Sequence, residues 1–182
     1  TEISIRYKRK TRGSYEMLYE IGDKVLDEWV ITRTIGEGSY GKVVEIERNE
    51  FGLSMKSALK IISIPGNNSE LKAVMGEGVD NKSITSYFYG FVEEIIKEIA
   101  IMSELKGHTN IVTYEDHRVI PHEDHIGWDI LIRMELLTSL LDYSEEHEIT
   151  EQTVIKLGTD ILTALEVCQN CLLYTSPSPR DS

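Results

Sequence analysis

The stretch Ile35-Gly-Glu-Gly-Ser-Tyr-Gly-Lys-Val43 decides the fold, together with Ala58-Leu59-Lys60 further along the chain. A lone G-x-G-x-x-G spacing is a weak signal, because dinucleotide-binding folds carry it at the start of a helix. Here the residues that follow, Val43 to Glu47, have the alternation of a strand. The glycines therefore lie at the tip of a predicted β-hairpin, where backbone N–H groups can approach phosphate oxygens. The alternative is an ordinary hairpin whose glycines only serve the turn.

Lys60 is the second clue, because it lies in an otherwise apolar strand predicted over Met55–Ile62. An ammonium group there needs solvent or an anionic partner. A helix predicted over Tyr87–Leu105 carries Glu98 inside its apolar stripe, where a carboxylate is costly unless it is paired. We therefore predict that Lys60 and Glu98 pair, with an ordinary surface lysine as the alternative for Lys60. The stripe consists of Phe91, Val92, Ile95, Ile99 and Met102.

The other segments complete an α+β pattern. Pro65–Thr85 is polar and rich in glycine, which predicts a loop insertion with room for one short helix. Beyond Met134 the chain turns helical, with a short helix capped by Ser139 or Thr138 and a longer one over Thr150–Asn170. The predicted strands are Trp29–Ile35, Val43–Glu47, Met55–Ile62, Ile111–Val119 and Trp128–Met134.

Charge and composition exclude several classes of function. The 19 Lys and Arg residues against 31 Asp and Glu residues give a net charge of -12, whereas general binders of nucleic acid or anionic membranes need clustered cations. No apolar run approaches the roughly 18 residues that span a bilayer, and no signal segment precedes the first strand. These features predict a cytoplasmic protein without a membrane segment. The start at Thr1, without an initiator Met, favours a piece of a longer protein.

Histidines and cysteines give two weaker candidate sites. His117, His122 and His125 surround a predicted turn, but a charged hairpin tip explains them without metal geometry, so no metal site is predicted. Cys168 and Cys171 are too few for a disulfide framework, and their C-x-x-C spacing is interpreted as coincidental.

The region from Trp29 to Asn170 resembles the amino-terminal part of a eukaryotic-like protein kinase domain, of the serine/threonine type found in bacteria. The resemblance implies an N-lobe of a five-stranded antiparallel sheet plus the αC helix, then a hinge and the first helices of a truncated helical C-lobe. The implied domains are a tail and linker (1–28), the N-lobe and hinge (29–137) and the start of the C-lobe (138–170). The residues that carry it are Gly36, Gly38, Gly41 and Val43, then Ala58 and Lys60, then Glu98 with its run into His108-x-Asn110-Ile111-Val112, and Met134 as gatekeeper.

The resemblance also implies roles for these residues. Lys60 would hold the α- and β-phosphates of ATP while Glu98 orients it, which makes these two the implied catalytic residues. Val43 and Ala58 would sandwich the adenine, and the implied reaction is phosphoryl transfer from Mg²⁺-bound ATP to Ser or Thr hydroxyls of protein substrates. The implied ATP-binding residues are Ile35, Gly36, Gly38, Ser39, Tyr40, Gly41, Val43, Ala58, Lys60, Met134, Glu135 and Leu137.

The end of the chain departs from the family pattern. Where the family has an H-R-D-x-K-x-x-N loop and a later Asp-Phe-Gly, residues 171–182 contain neither motif. These residues match an in-frame translation of a sequencing-library adaptor, so we expect them not to be native. We therefore expect a chain that lacks the protein ligands of Mg²⁺ and is inactive in phosphoryl transfer. A pseudokinase, a dinucleotide oxidoreductase and a non-enzymatic interaction module stay open as alternatives.

Overall fold

The computed structural model describes residues 7–10, 14–17, 19–38, 41–75 and 80–175, and their side chains apart from those of residues 7–17, 68 and 172–175. The chain divides into two compact units. The first is formed by Thr1–Glu94 and Asp116–Leu136, and the second by Ile95–Glu115 and Leu137–Ser182. No helix in the described ranges has the length and apolar character that crossing a bilayer requires.

The strands form a two-stranded hairpin and a six-stranded sheet in the order β3-β4-β5-β6-β8-β7. The hairpin consists of β1 (Tyr7–Lys10) and β2 (Ser14–Met17), which pair antiparallel. In the sheet, the pairs β3–β4, β4–β5, β5–β6 and β6–β8 are antiparallel. The sheet contains β3 (Lys24–Val25), β4 (Trp29–Gly38), β5 (Gly41–Glu50), β6 (Leu53–Ile64), β7 (Tyr114–Pro121) and β8 (Trp128–Met134).

The sheet has six strands where the sequence predicted five, and the added strand lies in the region predicted as tail and linker. β3 is only two residues long, which is too short for its alternation to be visible in the sequence. The turn into β4 contains no glycine. Leu26 and Asp27 instead adopt the positive φ angles, of 45° and 71°. The usual turn signal was therefore missing.

The sheet curls around an apolar core on one of its faces. Because side chains alternate along a strand, Leu59 and Ile61 point to this face, whereas Ala58 and Lys60 point to the other. Trp29 is buried in this core, and Arg48 and Arg133 stack on its ring at 5.4 and 5.0 Å. Full burial of a Val, Leu or Ile side chain contributes about 1.5–3 kcal/mol to the stability of the fold. The core consists of Val25, Trp29, Ile31, Val44, Ile46, Leu59, Ile61 and Leu131.

Helix α1 (Asn68–Val74) confirms the short helix predicted within the insertion, and α2 (Asn81–Glu104) begins earlier than predicted. Asp80 caps α2, because its carboxylate accepts hydrogen bonds from the backbone N–H and the hydroxyl of Ser83 at 3.0 and 2.8 Å. This polar first turn hid the start of the helix.

The buried face of α2 is rotated from the predicted stripe. Ile84, Phe88, Val92 and Ile99 are buried, whereas Phe91 and Glu98 are exposed. At about 100° per residue, Glu98 lies to the side of the line that joins Phe88 and Ile99. The prediction that Glu98 occupies a buried position was therefore wrong.

The second unit contains α3 (Leu140–Glu146) and α4 (Glu151–Thr175). Ser139 caps α3 as predicted, since its hydroxyl accepts from the N–H of Asp142 at 3.1 Å. The apolar residues of α4 are largely exposed, with Ile161 and Leu165 among them. One side of α4 lines a groove of about 370 Å³ formed by Asn110, Leu157, Asp160, Ile161, Ala164, Leu165 and Cys168.

Candidate functional site

The glycine-rich turn joins β4 to β5 as a hairpin, as the sequence predicted. Gly38 pairs with Gly41, and Ser39 and Tyr40, predicted to bind ATP, lie outside the described residues. Gly41 has φ +107°, and a Cβ at this position would overlap the carbonyl oxygen of Ile61 on β6. Only glycine fits here, because the hairpin lies directly against its neighbouring strand. The strand after Gly41 excludes the dinucleotide-binding alternative, which needs a helix there.

The other two glycines of the turn have a different environment. A Cβ at Gly36 or Gly38 would meet no atom within 4 Å in the described part of the chain. The adjacent Ile35 is exposed. The absence of side chains at Gly36 and Gly38 therefore leaves open space over the backbone of the hairpin, which a ligand could use.

The strand register brings four of the predicted site residues onto one face of the sheet. Lys60 on β6 pairs with Val43 on β5 and Ile132 on β8, and Ala58 pairs with Met134. Because cross-strand neighbours point to the same side, Val43, Ala58, Lys60 and Met134 share the face opposite the core. Ala58 is buried and the other three are half-buried. This face therefore places three apolar side chains beside Lys60.

The roles of Glu98, Glu135 and Leu137 stay predictions. Glu98 is exposed and belongs to the part of α2 in the second unit, whereas Lys60 belongs to the first. Their ion pair stays a prediction. Glu135 follows β8 and is half-buried, and Leu137 is exposed and begins a segment of the second unit. Their predicted contacts with an adenine also stay predictions.

A buried carboxylate on the same face was missed by the sequence interpretation. Glu45 lies opposite Ala58 on β5, and only 5% of its side chain is exposed. Its carboxylate accepts hydrogen bonds from Arg33 Nε at 2.7 Å, Lys56 Nζ at 2.9 Å and Thr32 Oγ1 at 3.2 Å. The bond from Lys56, followed by that from Arg33, lowers the pKa of Glu45 from 4.5 to about 2, although burial opposes the change.

The sequence contained one signal that could have found Glu45. The cations Arg33 and Lys56 and the anion Glu45 lie on three successive predicted strands. Opposite charges attract each other when neighbouring strands place them side by side. Alternation along a single strand does not show that a charged residue on it is buried. The register, with Arg33 opposite Glu45, supplies the missing information.

A second missed cluster joins the start of β8 to the segment before β3. Asp129 is fully buried, and its carboxylate accepts from Ser63 Oγ at 2.6 Å and Tyr19 OH at 3.0 Å. His122 Nε2 lies 3.2 Å from the same carboxylate. The Lys42 ammonium donates to the carbonyl oxygen of Tyr19 at 2.7 Å. Asp129 was missed because it lies inside an apolar run that predicted a central strand.

Two of the histidines that the sequence offered as candidate metal ligands, His122 and His125, lie near this cluster. The rings of His122 and His125 lie 4.5 Å apart. Burial, and then the neighbouring His122, lower the pKa of His125. No group of three or more His, Cys, Asp or Glu side chains is arranged to hold a metal ion within the described ranges.

Comparison with known proteins finds a distant similarity between this chain and an enzyme. The serine/threonine-protein kinase AKL1 of Saccharomyces cerevisiae is 28% identical to this chain over 161 residues. The match covers 83% of this chain but only 13% of that protein. No protein-family model matches the chain. This distant similarity supports a kinase-like relationship, and the α+β fold with its antiparallel sheet is consistent with it. The finer prediction of a kinase of the type found in bacteria stays a prediction.

Proposed function

We propose that this chain carries the ATP-binding part of a protein serine/threonine kinase domain. The observation that carries the proposal is the face formed by Val43, Ala58 and Lys60, which lies next to a hairpin tip whose glycines leave space for a ligand. The similarity to a yeast kinase supports the same class of function. Phosphoryl transfer to Ser or Thr hydroxyls is proposed for the longer protein to which such a domain would belong.

Each residue of this face has a separate task in the proposal. The small Ala58 side chain and the half-buried Val43 and Met134 offer an apolar surface of the kind that holds a flat adenine ring. Lys60 is a compact charge that can hold phosphate oxygens. The backbone N–H groups of the glycine-rich hairpin can approach the same phosphates, because Gly36 and Gly38 place no side chain in the way.

The bound nucleotide would supply the transferable phosphoryl group, and Mg²⁺ would neutralise part of its charge. The geometry fits the nucleotide, since the space above Gly36 and Gly38 is open, but it provides no cluster of acidic side chains for the metal in the described ranges. The sequence also contains neither a His-Arg-Asp nor an Asp-Phe-Gly motif. We therefore propose that the 182-residue chain binds ATP without transferring its phosphate.

The test compares ATP binding by the wild-type chain, Lys60→Met and Lys72→Met, using isothermal titration calorimetry in the presence of Mg²⁺. Lys72 is an exposed lysine on α1 and serves as the matched control. We expect Lys60→Met to weaken binding by tenfold or more, about 1.4 kcal/mol, because the phosphates lose their cation. Lys72→Met should bind like the wild type.

Two outcomes would contradict the proposal. The first is equal ATP affinity of the Lys60→Met and wild-type chains, and the second is no saturable binding by the wild type at millimolar ATP. A Glu98→Gln variant separates the kinase-like site from an interaction module. If Glu98 orients Lys60, this variant weakens ATP binding, whereas an interaction module that uses other surfaces leaves nucleotide affinity unchanged. Circular dichroism of each variant checks that the fold is retained.

A further inference from the structure

Residues 19–26, which we call the strap, cross the core face of the curled sheet before the chain enters β4. Val25 belongs to the apolar core, and Tyr19 and Leu26 pack against it. The backbone is attached to β4 at two points, because Gly22 N donates to Ile31 O at 2.8 Å and Ile31 N donates to Asp23 O at 3.0 Å. The strap is therefore part of the folded first unit.

The beginning of the strap is fixed by a polar cluster, which we call the latch: Tyr19, Lys42, Ser63, His122 and Asp129. The centre of the latch is Asp129, a fully buried carboxylate that needs donors to stay in the interior. The Tyr19 hydroxyl donates one hydrogen bond to this carboxylate, and the Ser63 hydroxyl donates another. Removal of Tyr19 would leave a buried charge with fewer donors, so the seated position of the strap is strongly favoured.

The latch also reaches the glycine-rich hairpin. Lys42 directly follows Gly41 at the start of β5, and its ammonium donates to the carbonyl oxygen of Tyr19 at 2.7 Å. Gly41 in turn lies against Ile61 of β6 with no room for a side chain. The strap therefore contacts the hairpin next to its tip, where Lys42 pairs with Glu37, on the core face and not on the face that carries Lys60.

We propose that the strap is a conformational control on the glycine-rich hairpin. With Tyr19 bound to Asp129, the Tyr19 carbonyl holds Lys42, and the hairpin is ordered next to its tip. With Tyr19 withdrawn, Lys42 loses this partner, and the part of the hairpin next to the tip loosens. The β1–β2 hairpin lies directly ahead of the strap, so a partner that displaces β1 and β2 would act on the glycine-rich hairpin through the latch. An effect on nucleotide affinity rests on the proposed function, whereas the effect on hairpin order does not.

The test measures amide hydrogen exchange of residues 41–44 by mass spectrometry, without nucleotide. Tyr19→Phe removes the hydroxyl that donates to Asp129 and keeps the ring. Ser63→Ala removes the other hydroxyl donor to the same carboxylate and leaves the strap untouched, which makes it the matched control. We expect Tyr19→Phe to accelerate exchange at 41–44 by about tenfold or more, and Ser63→Ala to leave exchange there near the wild-type rate after correction for global stability.

A second pair of variants tests whether the two bonds act as one device. Lys42→Met alone should also accelerate exchange at 41–44, and adding Tyr19→Phe to Lys42→Met should accelerate it little further. The proposal is overturned if Tyr19→Phe and Ser63→Ala affect residues 41–44 equally, or if the effects of Tyr19→Phe and Lys42→Met multiply. If Tyr19→Phe does not fold, Lys42→Met decides alone, and unchanged exchange at 41–44 in that variant overturns the proposal.

A parallel titration with ATP separates this proposal from the proposed function. If Tyr19→Phe loosens the hairpin but leaves ATP affinity unchanged, the result supports control of the hairpin by the strap. The same result contradicts an effect of the strap on nucleotide binding. If the wild type binds no ATP, the proposed function fails while the exchange result still decides whether the strap controls the hairpin.

Discussion

Replacement of the buried carboxylate at position 45 by an amide, Glu45→Gln, tests the electrostatics of the face that carries Ala58 and Lys60. Glutamine keeps the shape of the side chain and removes its charge. The Arg33 and Lys56 side chains would then lose the carboxylate that accepts their bonds at 2.7 and 2.9 Å. The fold should be retained, because both cations can turn towards solvent.

The magnitude follows from the pKa of Glu45. A change from 4.5 to about 2 corresponds to about 3 kcal/mol of stabilisation, at about 1.36 kcal/mol for each pKa unit. The side chains of Arg33 and Lys56 are 61% and 52% exposed, so water screens both pairs and replaces part of each interaction. We therefore expect Glu45→Gln to reduce the free energy of unfolding by about 1–2 kcal/mol at pH 7.

The sign of the pH dependence is fixed by the same change. A carboxyl whose pKa is lower in the folded state stabilises the protein above its unfolded pKa, here 4.5, and this stabilisation is lost as the pH falls towards about 2. The difference in unfolding free energy between wild type and Glu45→Gln should therefore shrink as the pH falls through this window. Urea denaturation at pH 7, 5, 4 and 3, followed by circular dichroism, measures it.

The matched control is Glu47→Gln, because Glu47 lies two residues further along the same strand. Its carboxylate is bound by the Ser54 hydroxyl at 2.8 Å and the Asn49 amide at 3.1 Å, with no ion pair within the described ranges. We expect a clearly smaller loss of stability from Glu47→Gln than from Glu45→Gln. Equal losses, or a wild-type and Glu45→Gln difference that does not change between pH 5 and pH 3, would refute the electrostatic reasoning.

Two further substitutions test the packing that positions the site. Gly41→Ala should lower the unfolding free energy by about 2 kcal/mol or more, because its Cβ would overlap the carbonyl of Ile61 and its φ is positive. The control Gly36→Ala should have a much smaller effect, since its Cβ would meet no described atom. Equal melting temperatures of the two variants would contradict this prediction. Phe88→Ala on α2 removes a fully buried ring and should cost about 3–5 kcal/mol. Phe91→Ala on the same helix removes a ring that is 43% exposed and should cost far less, and a comparable loss in denaturant unfolding would show that α2 is packed differently.

The central strands could be predicted from the sequence because their signals are local. β-branched residues alternate in β4, β5 and β6, and glycines mark the hairpin between β4 and β5. The prediction for β8, Trp128–Met134, agrees with the observed bounds. β3 could not be predicted, because two residues carry no periodicity and its turn uses Leu26 and Asp27 in place of glycine.

The candidate site could be predicted only where one strand decides the arrangement. The alternation of β6 alone is enough to put Ala58 and Lys60 on one face, whereas the register is needed to add Val43 and Met134. The buried face of α2 differs from the predicted stripe by a smaller angle than sequence periodicity can resolve. Glu98 was therefore predicted on the buried face, although it is exposed. Glu45 and Asp129 were missed because burial of a carboxylate depends on donors from distant segments, which no local pattern reveals.

The contact between Asp27 and Arg118 has a consequence for how this protein meets other chains. The two guanidinium bonds, at 2.9 and 3.2 Å, tie the turn beside the edge strand β3 to the opposite edge strand β7. Exposed sheet edges are templates on which strands of other molecules can pair and aggregate. Here the edge strand β3 is only two residues long, and the edge strand β7 carries the charged residues Glu115, Asp116 and Arg118. Both features disfavour the pairing of a strand from another molecule with this sheet.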